Sequence, residues 1–126
     1  PLILCAEDNP VNQKVIRLQL EKLGYRVHMT ADGKEALAAW RSQSFALLLT
    51  DCHMPNMDGY DLTRAIRTEE QGRAKSTHIV ALTANALEGE ARICLEAGMD
   101  GYLSKPVDMA KLKETLARWI ETPAVA

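Results

Sequence analysis

Four polar signals stand directly after apolar runs: Glu7-Asp8 after Leu2-Ile3-Leu4-Cys5-Ala6, Asp51 after Phe45-Ala46-Leu47-Leu48-Leu49-Thr50, Thr83 after Ile79-Val80-Ala81-Leu82, and Lys105 after Tyr102-Leu103-Ser104. Such runs read as strands of a parallel sheet buried on both faces, and a polar residue that follows one is lifted to the rim, where open α/β sheets bind ligands. If the strands are parallel neighbours, three carboxylates, one hydroxyl and one ammonium meet at one edge. Clustered carboxylates repel one another unless a cation sits among them, and their oxygens suit a hard divalent ion such as Mg²⁺ or Mn²⁺. Asp8 and Asp51 are the candidates for direct ligation; Glu7, one methylene longer, is expected to reach the metal through water. An aspartate beside such an ion and a lysine is also equipped as a nucleophile toward a phosphoryl group, because the cations neutralise charge spreading over the transferring oxygens. Asp51 fits that role, Lys105 supplies the second positive charge, and the Thr83 hydroxyl can donate to a phosphoryl oxygen and so sense its presence.

The intervening segments supply the helices that must position these groups. Asn9-Pro10 reads as an N-cap followed by proline at the first helical position, with Val11, Val15, Ile16, Leu20 and Leu23 on one apolar face and Gly24 as the stop. A strand is expected over Arg26 to Thr30, then a helix capped by Asp32 and Glu35 that buries Ala36, Leu37 and Trp40. Asp58-Gly59 opens a helix carrying Leu62, Ala65 and Ile66, and the polar stretch Thr68 to Thr77 reads as a surface loop. Leu87, Ala91, Cys94 and Leu95 mark the next helix, stopped by Gly98; a short strand over Gly101 to Ser104 follows. Asp108 caps a last helix with Met109, Leu112, Leu116 and Ile120 on its face. Strict alternation of strands and helices predicts a doubly wound (βα)5 sandwich with a five-stranded parallel sheet, flavodoxin-like, covered by helices on both faces.

Composition bounds the function. At 126 residues, 47% hydrophobic and 25% charged, the chain accommodates one globular domain, expected over residues 1–121, with 122–126 as a tail or the start of a linker. A net charge of −2 with interspersed signs argues against direct nucleic-acid binding. No apolar run is long enough to span a membrane, and no signal-peptide pattern opens the chain, so a cytoplasmic setting is expected. Pro1 in place of an initiator methionine is expected of a segment cut from a longer protein. Cys5, Cys52 and Cys94 form neither an even set nor a CxxC; Cys5 and Cys94 read as small buried hydrophobes and Cys52 as structural. Each chemical candidate also has an ordinary reading: helix entry for Glu7-Asp8-Asn9-Pro10, a strand-to-helix turn for Lys105-Pro106, core packing for Tyr102, partial burial for Trp40 and Trp119. A cis bond at Pro106 would aim Lys105 inward. The joint occurrence of polar groups at four strand ends favours the chemical reading.

At these residues the chain resembles the receiver domains of two-component and phosphorelay signalling. The resemblance covers essentially the whole length and is carried by Ala6-Glu7-Asp8-Asn9, by Asp51-Cys52-His53-Met54-Pro55-Asn56-Met57-Asp58-Gly59, by Thr83-Ala84-Asn85-Ala86 and by Lys105-Pro106. It implies that Asp51 takes a phosphoryl group from a phosphohistidine, that Asp8, Asp51 and the backbone carbonyl of His53 hold Mg²⁺ with Glu7 assisting, and that Lys105 and Thr83 contact the phosphoryl oxygens. It places Tyr102 at the aromatic switch, the output surface on the fourth helix, fifth strand and fifth helix, and His53 and Asn85 at positions that tune phosphoryl lifetime. Glu7-Asp8-Asn9 where stand-alone receivers often carry two aspartates is similar to the receivers of hybrid histidine kinases. The implied partners are a histidine kinase domain and a histidine phosphotransfer domain.

Competing readings are a receiver whose separate output domain lies elsewhere and a degenerate receiver that only binds; the second is disfavoured because acceptor, acids, threonine and lysine are all present. A haloacid-dehalogenase-type phosphatase would need a second aspartate where His53 stands, and a nucleotide-binding fold would need a glycine-rich loop after the first strand.

Overall fold

A computed structural model describes residues 2–72, 76–84 and 88–120. Chain order is β1 (Leu2–Ala6), α1 (Pro10–Lys22), β2 (Arg26–Thr30), α2 (Gly33–Ser42), β3 (Leu47–Asp51), α3 (Gly59–Glu70), β4 (Ile79–Thr83), α4 (Glu88–Ala97), β5 (Gly101–Ser104) and α5 (Met109–Trp119). The strands form one parallel sheet in the order β2-β1-β3-β4-β5. Strand order reverses between β1 and β3, which opens a crevice at their carboxyl ends.

The apolar runs are continuous because the sheet is buried twice. Ile3 and Cys5 of β1, Leu47 and Leu49 of β3, and Val80 and Leu82 of β4 pack with Ile16 and Leu20 of α1 and Leu112 and Leu116 of α5. Their neighbours Leu4, Ala6, Leu48, Ile79 and Ala81 pack on the other face with α2, α3 and α4. Successive strand residues point to opposite faces, so each face receives half of every run.

The caps lie where the side chains require. Asn9 Oδ1 accepts from the amides of Val11 (2.8 Å) and Asn12 (3.2 Å), Asp32 Oδ1 from Glu35 (2.9 Å), Asp58 Oδ1 from Asp61 (2.8 Å) and Asp108 Oδ1 from Ala110 (2.8 Å). Gly24 and Gly98 follow α1 and α4 with φ of 92° and 109°, the left-handed geometry of a helix stop.

Several expectations are corrected. Thr68, Glu69 and Glu70 are the last turn of α3, not loop. The helix continues because Glu70 is needed inside: its Oε1 receives Arg67 Nη1 at 2.7 Å and its Oε2 the Thr77 amide at 2.6 Å. Val11 and Val15 are 70% and 47% exposed; α1 begins above the carboxyl edge of the sheet, so only Ile16 and Leu20 reach the core. Leu95 is exposed beside buried Cys94. Tyr102 is 42% exposed instead of core-packed, because β5 is an edge strand and its inward residue is Leu103. Leu87 and the 122–126 tail lie outside the described residues.

A polar network closes the edge opposite the crevice. Arg67 donates to Glu70, to the carbonyls of Gly98 (2.9 Å) and Thr77 (2.8 Å), and to Asp100 Oδ2 (3.0 Å), which also accepts from Ile79 N. Burial would raise the Glu70 carboxyl, but the Thr77 amide and Arg67 outweigh it and hold the group below its ordinary value. Its contribution is therefore present above the ordinary glutamate range and is lost as pH falls through the lowered value. Arg67→Met leaves Glu70 buried without its cation; a loss of about 3–5 kcal/mol in urea unfolding at neutral pH is expected, shrinking on acidification as Glu70 protonates. A loss that stays constant with pH would contradict it.

Candidate active site

The carboxyl ends of β1 and β3 deliver the acids. Ligand oxygens of Glu7, Asp8 and Asp51 all lie within 4.8 Å of one another. Glu7 is fully buried, Asp51 is 9% exposed, and Asp8 faces solvent. Glu7 Oε2 accepts the Asn9 amide at 3.0 Å, which ties the acid pair to the cap of α1. From the end of β5, Lys105 Nζ reaches Glu7 Oε1 at 2.9 Å and Asp51 Oδ2 at 3.0 Å. The bond to Pro106 is cis. Burial of the ammonium would lower its proton affinity, but the hydrogen bonds to Glu7 and Asp51 reverse that and hold it above the ordinary lysine value. The set is three carboxylates against one ammonium, all hard oxygen donors: a site with charge to spare for a divalent cation, open on the Asp8 side.

Thr83 ends β4, one strand beyond Asp51; Asp51 is in register with Leu82. Its hydroxyl is nearly buried and donates to Glu90 Oε1 of α4 at 3.2 Å. His53 projects into solvent with its side chain 74% exposed, its ring edge-on to Tyr60 at 5.7 Å and its Nε2 3.5 Å from the same Glu90 oxygen. Tyr102 lies on the exposed edge of β5 and Asn85 outside the described residues.

Three features escape sequence reading. Glu90 is one of many acids on a helix surface, and nothing in its spacing signals that it meets Thr83. Asp32 was legible as a cap, but its second oxygen also receives Asn56 Nδ2 at 2.7 Å, which pins the loop after Asp51 to the start of α2 while Asn56 itself adopts φ 67°. The Asp58-Gly59 helix start was visible; the reason for glycine was not. A Cβ on Gly59 would stand 2.2 Å from the carbonyl oxygen of Asp51 and 3.1 Å from Cys52 Cα. Gly59→Ala is expected to lower stability by about 1–3 kcal/mol and to displace the end of β3, read by thermal unfolding and by the rate of the phosphoryl uptake expected at Asp51. Wild-type values in both would show that the backbone yields there without consequence.

Cys52 and Cys94 are buried free thiols with Sγ atoms 3.8 Å apart. Burial pushes the Cys52 thiol up to about 12, so little thiolate forms at neutral pH and its role is packing, as expected.

A doubly wound sheet with an acid cluster and a lysine at its switch point defines an α/β domain whose site suits a divalent cation and an incoming anion. The chain belongs to the response regulator receiver domain family, whose model matches residues 3–117. It is 42% identical over 120 residues to the sensor histidine kinase RcsC of Salmonella typhi, covering 95% of this chain and 12% of that protein. The chain thus spans about an eighth of the length of the sensor kinases it matches. The receiver domain of sensor histidine kinase PA1611 from Pseudomonas aeruginosa, which carries a magnesium ion in its active-site cleft, superposes with a TM-score of 0.86 at 50% identity, covering 96% of this chain and 98% of that one. The Ssk1 receiver of Saccharomyces cerevisiae, solved with the phosphotransfer protein Ypd1, superposes with a TM-score of 0.91 at 27% identity, covering 98% and 91%.

Proposed function

We propose that Asp51 accepts a phosphoryl group from a phosphohistidine in a Mg²⁺-dependent reaction, and that this domain is the receiver module of a hybrid sensor kinase that passes the group on to a histidine phosphotransfer domain. The observation that carries the reading is the pairing of Asp51 with Lys105 at 3.0 Å inside a cluster of three carboxylates. Asp8, Asp51 and the His53 carbonyl would hold the metal, with Glu7 acting through water. When bound, Mg²⁺ would neutralise charge on the phosphoryl oxygens. Asp51 Oδ attacks phosphorus, the P–O bond forms as the P–N bond breaks, and the imidazole leaves with its electron pair and takes a proton. Lys105 balances the acyl phosphate's charge, and Thr83 donates its hydroxyl to a phosphoryl oxygen. Tyr102 is assigned the aromatic switch and His53 and Asn85 the control of phosphoryl lifetime.

Partner docking is assigned to the face of α1. Val11, Val15 and Leu18 are exposed, and Val15 lines a shallow groove with Lys105, Pro106 and Val107. Leu18→Asp is expected to slow transfer from a phosphotransfer domain by about tenfold or more while uptake from a small phosphodonor is unchanged; equal effects on both donors would argue against that face. RcsC, GacS of Pseudomonas syringae and the PA1611 receiver support the hybrid-kinase setting. Among the described residues no helix is long and apolar enough to cross a membrane. A cytoplasmic location is part of the proposal.

The test is incubation with acetyl phosphate, with and without Mg²⁺, read by intact mass. One phosphoryl adduct that requires the metal is expected. No adduct would favour a pure binding module, and continuous turnover of phosphate esters would favour a phosphatase.

A further inference from the structure

One carboxylate ties three parts of the site together. Glu90 Oε1 accepts from Thr83 Oγ1 at 3.2 Å and stands 3.5 Å from His53 Nε2, with its side chain only 17% exposed. Glu90 lies on α4, Thr83 ends β4 and His53 sits in the acceptor loop, so the contact joins a helix to the strand end and loop that flank Asp51.

A threonine hydroxyl has one proton to donate. While it serves Glu90 it cannot serve a phosphoryl oxygen on Asp51, and the two acceptors compete. The newcomer is also anionic, so it repels the Glu90 carboxylate.

We propose that Glu90 is a latch: it holds the Thr83 hydroxyl in the unphosphorylated chain and gives it up when a phosphoryl group on Asp51 claims Thr83. The inference rests on the reading of Asp51 as phosphoacceptor. It makes Glu90 a positioning residue and gives the first turns of α4 two discrete arrangements selected by the phosphoryl group. Removing the latch lowers what phosphorylation must overcome.

The experiment measures the ratio of phosphorylated to unphosphorylated chain by intact mass at subsaturating acetyl phosphate with Mg²⁺, folding being checked by circular dichroism. Glu90→Ala is expected to raise the ratio about tenfold, the scale of a hydrogen bond to a charged group, and the shape-preserving Glu90→Gln to raise it less. In a Thr83→Val background the Glu90 effect should vanish, which a merely structural role for Glu90 would not produce. An unchanged ratio in both Glu90 variants, or an equal rise in the Thr83→Val background, overturns the latch while the phosphoacceptor reading stands. No adduct on the wild-type chain overturns both.

Discussion

Asp51→Asn is expected to take up no phosphoryl group from acetyl phosphate and Mg²⁺ under conditions in which the wild-type chain acquires one, while remaining folded. The substitution keeps the shape of the side chain at the end of β3, so the close approach of Gly59 to the Asp51 backbone is undisturbed. Lys105 retains Glu7 at 2.9 Å, so the ammonium is not left unpaired. What is lost is the anionic oxygen that attacks phosphorus, for which a neutral amide is no substitute. One of three clustered carboxylates also disappears, and Mg²⁺ affinity should fall by about tenfold or more, measurable by calorimetric titration. An adduct of undiminished yield would move the acceptor to another residue, Asp8 first, since it shares the cluster.

Lys105→Met is expected to slow phosphoryl uptake by about a hundred- to a thousandfold, the usual consequence of removing one preorganised donor from developing charge. Mg²⁺ affinity should move the other way. Without the ammonium, Glu7, Asp8 and Asp51 carry uncompensated negative charge, and a divalent ion gains what the lysine no longer supplies. Opposite signs for metal affinity and rate would separate a role in transfer from a role in assembling the metal site; a parallel fall in both would instead mean that Lys105 only holds the carboxylates in place. Stability offers an independent reading. Because the folded-state proton affinity of Lys105 is raised, its contribution is fully present below the ordinary lysine range and is lost as pH rises through the elevated value. Wild type should therefore lose stability in strongly alkaline solution by an increment that Lys105→Met lacks. Near neutrality the variant leaves fully buried Glu7 without its cation and should be the less stable of the two, with added Mg²⁺ restoring part of the difference.

Much of this site could be read without coordinates, for reasons that lie in local chemistry. Buried parallel strands demand uninterrupted apolar runs, so Leu2–Ala6, Leu47–Asp51 and Ile79–Thr83 announce both the strands and the polar groups at their ends. Asn9, Asp32, Asp58 and Asp108 accept amides two or three residues along, which makes helix starts a matter of short spacing. Strand boundaries at Arg26–Thr30 and Gly101–Ser104 follow from the same punctuation by turns. Exposure was less legible. Val11 and Val15 share periodicity with buried Ile16, but periodicity does not say where the sheet beneath a helix ends. The helical end of α3 was missed because Thr68, Glu69 and Glu70 look solvated in sequence, while Glu70 is in fact satisfied by Arg67 and a distant amide.

The chain's sequence by itself determined the alternation of strands and helices, the identity of the acids, hydroxyl and lysine at the strand ends, and hence membership of the receiver family, because these depend on residue type and spacing along one run. Only the tertiary structure decided which of those ends are neighbours, that Lys105 bridges Glu7 and Asp51 within 3.0 Å, and that Glu90 reaches Thr83 from another element. The physical reason is range. Caps and strands are set by interactions over a few residues, whereas the Lys105–Asp51 pair spans 54 positions and exists only after the crossover helices have placed β5 and β3 in one sheet.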